Sequence, residues 1–227
     1  MLQSARVDKT ESAEKEAIEI ISLSDVHWPH LLELACVHSI HPPLEQLLKQ
    51  LPSGIVPSFV TETLEDATRE NLLRQLRSLS AFFEVREMLN AKGITVIPFK
   101  GPWLAHHYYG DISYRESYDL DLFIDVRDLE AVKRIMTENG YVNTSLIKSL
   151  NDDYVREHLC EYNFDKFDGG TCIQHLEFHW SSSLRHFRMN IKMDELQPQI
   201  VQATFQGKDI AVFSAAAEML LTVMHHG

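Results

Sequence analysis

The stretch "ITVIPFKGPWLAHHYYGDISYRESYDLDLFIDV", residues 94–126, decides how this chain is read. Ile94–Phe99 is apolar and β-branched, the composition of a strand. Pro102 then opens a short helix over 102–109, at the first helical position, where a missing N–H costs nothing. Asp119–Val126 reads as a second strand. Successive strand side chains point to opposite faces, so Asp119 and Asp121 project from one side while Leu120, Leu122 and Ile124 hold the other. Phe123 breaks this alternation, because it shares the face of Asp119, Asp121 and Asp125. Aspartate is depleted in strands, and a buried carboxylate is costly unless it is paired or bound to a metal. Two carboxylates about 6.5–7 Å apart at their Cα atoms can share one or two hard cations such as Mg²⁺. The plainer reading is a polar row on the solvent face of an amphipathic strand.

Lys100 and Gly101 stand where the first strand turns into the helix. A helix N-terminus offers free N–H groups to an anion, glycine lets a phosphate approach the backbone, and lysine adds a point charge. An ordinary strand–helix turn has the same appearance. Arg115 precedes Asp119 in the loop and suits either a phosphate or a neighbouring carboxylate.

Downstream, "QHLEFHW" (174–180) places His175, Glu177 and His179 on one face and Leu176, Phe178 and Trp180 on the other. Glu177 can supply a third carboxylate beside the first two. In phosphoryl transfer such a residue binds the acceptor-side metal or takes the acceptor proton. A rival reading makes His175, Glu177 and His179 zinc ligands, and a bland one leaves them as the polar side of a hairpin strand. His106-His107 and His225-His226 are helix neighbours that do not face one another, and they read as structural or surface residues.

Outward from these motifs, the N-terminal third is helical by pattern. Residues 1–11 are polar and expected to fray. Ser12 caps a helix over 13–22, and a second helix runs over 28–40 until His41-Pro42-Pro43 breaks it. A short helix over 44–50 and the linker "LPSGIVPS" follow. Thr61 or Thr63 caps a long helix ending at Gly93, with Leu64, Ala67, Leu72, Leu73, Leu76, Leu79, Phe82, Phe83, Met88 and Leu89 on its apolar face. Asp128 caps a helix ending at Gly140. "HLCEYNFDKF" and "TCIQHLEFHW" flank Asp168-Gly169-Gly170 as a hairpin. Asp209–Phe213 is a last strand, and Ser214 caps a final helix. Helices first and mixed elements afterwards indicate an α+β fold: a mixed β-sheet flanked by helices, with a helical N-terminal subdomain. The expected divisions are 1–60, 61–213 and 214–227.

The 227 residues are enough to bury a substantial core. The net charge of −12 disfavours binding along nucleic-acid tracks, which depends on many cation–phosphate contacts, but allows one nucleotide held by a metal. No run is long enough to suggest a membrane span, and the first residues lack an apolar leader, so a cytoplasmic location is expected. Cys36, Cys160 and Cys172 are odd in number and widely spaced, which predicts reduced thiols instead of a disulfide framework.

Taken together, residues 93–124 and the later "LEFHW" resemble the nucleotidyltransferase superfamily that includes DNA polymerase beta. More narrowly, they resemble its uncharacterised bacterial nucleotidyltransferase family, whose pattern is an LKG-like turn, an arginine, D-h-D-h-h and a later E-h-H-W. "ENGY" and "LLTVMHHG" also fit, and the likeness covers about residues 64–227. It implies Asp119 and Asp121 as the metal-binding pair, Glu177 as the third acidic residue, Lys100 and Gly101 as the triphosphate turn, and Arg115 as a phosphate contact. It implies transfer of a nucleotide from an NTP with two Mg²⁺ ions, or Mn²⁺, to a small-molecule or protein acceptor. Two features depart from the pattern. The turn carries Gly101-Pro102 in place of Gly-Ser or Gly-Gly, which removes one N–H donor, and the gap from turn to Asp119 is longer. Family members often continue into further helices after "HHG", so acceptor-binding parts are expected to be missing here or to be supplied by another protein. The alternatives are a catalytically silent binding or regulatory protein, which the Gly-Pro turn favours, and a zinc hydrolase.

Overall fold

The computed structural model describes residues 11–23, 25–145, 152–182 and 191–226. Its fold is mixed α+β, as the order of elements indicates. Two compact units emerge, one drawing on the described residues of Met1–Leu76 and Leu104–Ser117, the other on Arg77–Trp103 and Tyr118–Gly227. Among the described residues no helix is long and apolar enough to cross a membrane.

The first unit is helical. It contains α1 (Glu11–Leu23), α2 (Trp28–Val37), α3 (His41–Leu48) and the start of α4 (Ser58–Asn90). Ala35, Leu44, Leu48, Val60 and Leu64 form its core, with Trp28, Leu31 and Leu32 packed against it. Three expectations need correction here. Ser12 lies within α1 instead of preceding it. α2 stops at Val37, short of the expected residue 40 and just ahead of Ser39 with φ +52°, and His41-Pro42-Pro43 opens the next helix instead of breaking the last, since prolines in the first turn give up only N–H groups that have no partner there. The long helix starts at Ser58, directly after Pro57, and Thr63 donates its hydroxyl to the Phe59 carbonyl at 2.7 Å in place of capping.

That helix also departs from an all-apolar inner face. Leu72, Leu73 and Leu76 are exposed, while Asn71 and Gln75 are buried one turn apart. Asn71 Nδ2 donates to the carbonyls of Ser113 (2.8 Å) and Arg115 (3.2 Å), and Gln75 Nε2 donates to that of Ser117 (2.9 Å). The two amides satisfy carbonyls of a loop that has no sheet partner, which accounts for polar residues holding inward positions. Glu116, in the same loop, pairs with the His41 ring at 2.6 Å.

The second unit holds the sheets. Five strands lie in the order β1 (Ile97–Pro98), β2 (Leu120–Phe123), β5 (Thr171–His179), β4 (Glu161–Asp168) and β3 (Val142–Asn143). β2 runs parallel to β5; the other neighbours are antiparallel. The hairpin of β4 and β5 turns at Gly169-Gly170, both with positive φ, as its sequence predicts. β6 (Ile200–Phe205) pairs with β7 (Lys208–Phe213) in a second sheet; of these only β7 is legible beforehand. Both expected strands of residues 94–126 are shorter than their apolar runs; the second gives way to a 3₁₀ turn at Val126, where Asp125 accepts from Arg127 N. α5 (Gly101–Tyr109), α6 (Leu129–Glu138), α7 (Asp152–His158), α8 (Met193–Leu196) and α9 (Ala215–His226) complete the described elements. Asp128 occupies the position before α6 but makes no side-chain cap bond there. Ser214 does act at the start of α9, where its Oγ accepts from Ala217 N.

Leu120, Leu122, Leu176 and Phe178 are fully buried on one face of the sheet. On the other face, Phe99 and Phe123 join Met193, Leu196, Phe213, Ala217 and Leu221 in a second cluster. Phe123 therefore breaks the polar alternation because its end of the strand is core. Asp121, two residues earlier on the same face, is only 1% exposed, so the solvent-facing reading fails for this carboxylate, while Asp119 is half-buried.

Truncating Phe178 to alanine should cost about 3–5 kcal/mol in denaturant unfolding, the range for a buried aromatic. The cysteines offer a second check. Cys36 and Cys172 are exposed and Cys160 is buried, its thiol pushed up to about 12 by that burial. A thiol reagent followed by mass spectrometry should modify Cys36 and Cys172 in the native protein and Cys160 only after unfolding.

Candidate functional site

The parallel pairing of β2 with β5 sets Asp121 directly against Glu177. The strands are held in this register by apolar partners on the far face, Leu120 opposite Leu176 and Leu122 opposite Phe178. A slip of one residue would turn all of these side chains over, so the core fixes the meeting of the two carboxylates. Asp119 lies one residue ahead of β2 and is half-buried.

Three anions so close in a dry face repel one another unless cations offset them. Lys100 supplies one. It is 5% exposed, its Nζ lies 3.7 Å from Asp121 Oδ1, and it rests over the Phe99 ring at 5.1 Å. Phe99 N also donates to the Asp121 carbonyl, which ties the turn after β1 to the middle of β2. His179 supplies the other. It is 1% exposed; its Nε2 lies 2.9 Å from Asp121 Oδ1 and 3.5 Å from Glu177 Oε2, and its Nδ1 lies 3.5 Å from Glu161 Oε2. Four residues earlier on β5, the His175 ring bridges Asp165 and Glu177, the latter at 3.3 Å. The result is a chain of alternating carboxylates and imidazoles across β4, β5 and β2.

Proton affinities follow from this arrangement. Burial is the strongest single influence on Asp121 and would raise it, but the His179 hydrogen bond and the charges of His179 and Lys100 together outweigh it and leave the carboxyl below its ordinary range. Glu177 is held well below its range, first by His175 and then by His179. Asp119 is pushed up, by burial first and then by the charges of Asp121 and Glu177. His175 is pushed up to about 9, chiefly by its hydrogen bond to Glu177. His179 reaches about 9 although complete burial opposes its charge, because Asp121 and Glu177 both accept from it.

Of the residues singled out in the sequence, Lys100, Asp121, Glu177 and His179 come together. Asp119 is near enough to sense Asp121 and Glu177 electrostatically. Gly101 begins α5 with φ +56°, a backbone conformation that favours glycine, so the turn requires this residue. Arg115 belongs to the other unit, where its Nη1 is buried without a hydrogen-bond partner. His175 is drawn to Asp165, so the set that gathers is not the rival zinc triad of His175, Glu177 and His179. Instead Asp121, Glu177 and His179 offer donor atoms within 4.8 Å of one another, the oxygen and nitrogen chemistry of a divalent-cation site. Sequence reasoning missed Glu161 and Asp165. They alternate with Asn163 in "EYNFD", a period-two polar signal matching that of "HLEFH" in the partner strand. Separately, a cavity of about 350 Å³ opens at the C-terminal ends of β2 and β5, lined by residues that include Asp125, Arg127, Arg156 and Trp180 but none of these carboxylates.

Comparison with known proteins agrees with the motif reading. The model of a family described as uncharacterised nucleotidyltransferase matches residues 24–227. Among solved structures, a candidate nucleotidyltransferase from Thermotoga maritima is similar at 14% identity and a TM-score of 0.45, covering 64% of this chain and 82% of that one. A lincosamide antibiotic adenylyltransferase with lincomycin bound is similar at 14% identity and a TM-score of 0.43, covering 61% and 82%. No curated protein matches the chain.

The histidines give the metal-free protein a defined pH response. Folded-state values of about 9 for His175 and His179 exceed their ordinary 6.5, so their ion pairs stabilise fully below about pH 6.5. That contribution is lost as pH rises through about 9. The melting temperature of metal-free protein should fall between pH 7 and pH 9.5. A His175→Asn variant should show a shallower fall; an equally steep one would exclude His175 as a source.

Proposed function

The chain belongs to the uncharacterised nucleotidyltransferase family, and we propose on that premise that it moves a nucleoside monophosphate from an NTP to a hydroxyl of a small molecule or protein. The observation that carries this reading is Asp121 set against Glu177 on neighbouring parallel strands, with Asp119 just ahead.

In this reading Asp119, Asp121 and Glu177 would hold Mg²⁺ ions, which when bound neutralise phosphate charge and stabilise the attacking and leaving oxygens. The chain's own groups do the positioning. Gly101 allows a triphosphate close to the backbone at the start of α5, and Lys100 stands beside it as a point charge. Arg115 remains a proposed phosphate contact on the strength of the motif. Glu177, kept ionised by two imidazoles, orients the acceptor hydroxyl. The acceptor oxygen bonds the α-phosphorus in line as the bond to pyrophosphate breaks, and the hydroxyl proton leaves to a carboxylate or to water. The net charge of −12 favours a compact acceptor over long nucleic acid. We also place the reaction in the cytoplasm, where reduced thiols are the norm.

A second reading has an observation of its own. Pro102 offers no N–H to a phosphate, and Lys100 is already paired with Asp121. Both suit a protein that keeps the fold and binds a nucleotide without turning it over.

A thermal-shift screen of the four NTPs, each with Mg²⁺ or Mn²⁺, should show a metal-dependent rise in melting temperature for at least one, because a ligand of the native state stabilises it by mass action. Asp119→Asn and Asp121→Asn should each abolish the rise; unchanged binding in both by calorimetry would exclude this site. Pyrophosphate release with a pool of hydroxyl acceptors separates the two readings, since the silent protein would yield none.

A further inference from the structure

The ring of His179 has its two nitrogens in different surroundings. Nε2 faces Asp121 and Glu177 at 2.9 and 3.5 Å, and Nδ1 faces Glu161 at 3.5 Å. The ring is buried, wedged edge-on against Phe99 with centroids 5.9 Å apart, and so has a fixed orientation. A carboxylate behind one imidazole nitrogen, with the other nitrogen aimed at two carboxylates, is how proteins hold a metal-binding histidine in the right tautomer and raise its basicity. We propose that His179 is itself a metal ligand, that Glu161 is its positioning residue, and that the resulting nitrogen–oxygen donor set selects Mn²⁺ or a similar transition-metal ion over Mg²⁺.

The inference rests on reading Asp121 and Glu177 as metal ligands, and it concerns which ion they take. Mg²⁺ prefers an all-oxygen octahedron and parts reluctantly with water, whereas imidazole suits first-row transition ions. On binding, the Nε2 lone pair goes to the ion and the proton that Nε2 shares with Asp121 is released to solvent. His175 is excluded from the set because its ring is engaged by Asp165. Lys100, also against Asp121, need only turn aside, since its flexible stem allows its charge to move.

The test uses the metals alone, with no nucleotide. Mn²⁺ binding to the purified full chain is followed by loss of the free-ion electron paramagnetic resonance signal, with Mg²⁺ as competitor. Mn²⁺ should bind at least about tenfold more tightly than Mg²⁺. Pulsed resonance on the bound ion should show coupling to an imidazole nitrogen. His179→Asn should remove the coupling and the preference, His175→Asn should keep both, and Glu161→Gln should weaken Mn²⁺ binding by about tenfold or more. Equal affinities for the two ions, or no nitrogen coupling in the unmodified protein, would overturn the proposal even if His179→Asn failed to fold. Nitrogen coupling without nucleotidyl transfer would leave the metal site standing and remove the transfer reading. Transfer supported by Mg²⁺ without nitrogen coupling would do the reverse.

Discussion

Everything in the sheet face around Asp121 depends on neutralising carboxylates that the fold forces together. Asp121 and Glu177 meet because Leu120, Leu122, Leu176 and Phe178 pack on the opposite face and fix the register of β2 against β5. Without compensation, an acidic pair with one member buried and the other only partly exposed would cost the fold several kcal/mol. Lys100 and His179 provide it, and neither is interchangeable with a surface cation. Lys100 arrives on the strand–helix turn that starts α5, and His179 arrives on the same strand as Glu177. Asp165 and His175 continue the alternation toward the hairpin turn, where the charges become partly exposed.

Much of this was legible in the sequence. The period-two patterns of "DLDLF" and "HLEFH" give the correct faces, and Asp168-Gly169-Gly170 gives the hairpin. What they do not give is which strands become neighbours. That choice rests on a parallel crossover between segments far apart in the chain, so the pairing of His179 with Asp121 lies beyond local pattern. Lys100 reads in sequence as a phosphate hand; only burial shows it committed to a carboxylate. β6 was missed because "IVQATF" is largely exposed and carries its regularity only through its pairing with β7. The long helix departs from its apolar pattern at Leu72, Leu73 and Leu76 because a periodic apolar count cannot see that Asn71 and Gln75 are held inside, where they satisfy loop carbonyls.

The two compact units solve their cores by different means. The first packs small and branched aliphatic residues from several helices, with prolines at the helix starts. The second relies on aromatic rings, among them Phe99, Phe123 and Phe213 in edge-on contacts of 5.3–6.1 Å. Trp103 adds a buried hydrogen bond from its indole to Glu218 on α9 at 2.9 Å. Rings that size leave little room for rotamer exchange, which keeps the strand ends rigid beneath the polar face.

The internal counter-ions have a consequence for how this protein comes into being. Many small metal sites are unformed until the ion arrives, so folding waits on metal supply. Here a lysine and an imidazole hold the place of that charge from the outset. In the proposed reading the chain reaches its final shape without the ion and takes one up afterwards by exchange. On that reading assembly and loading are separate events, and a scarcity of metal would yield an idle reserve of finished protein and not a misfolded one.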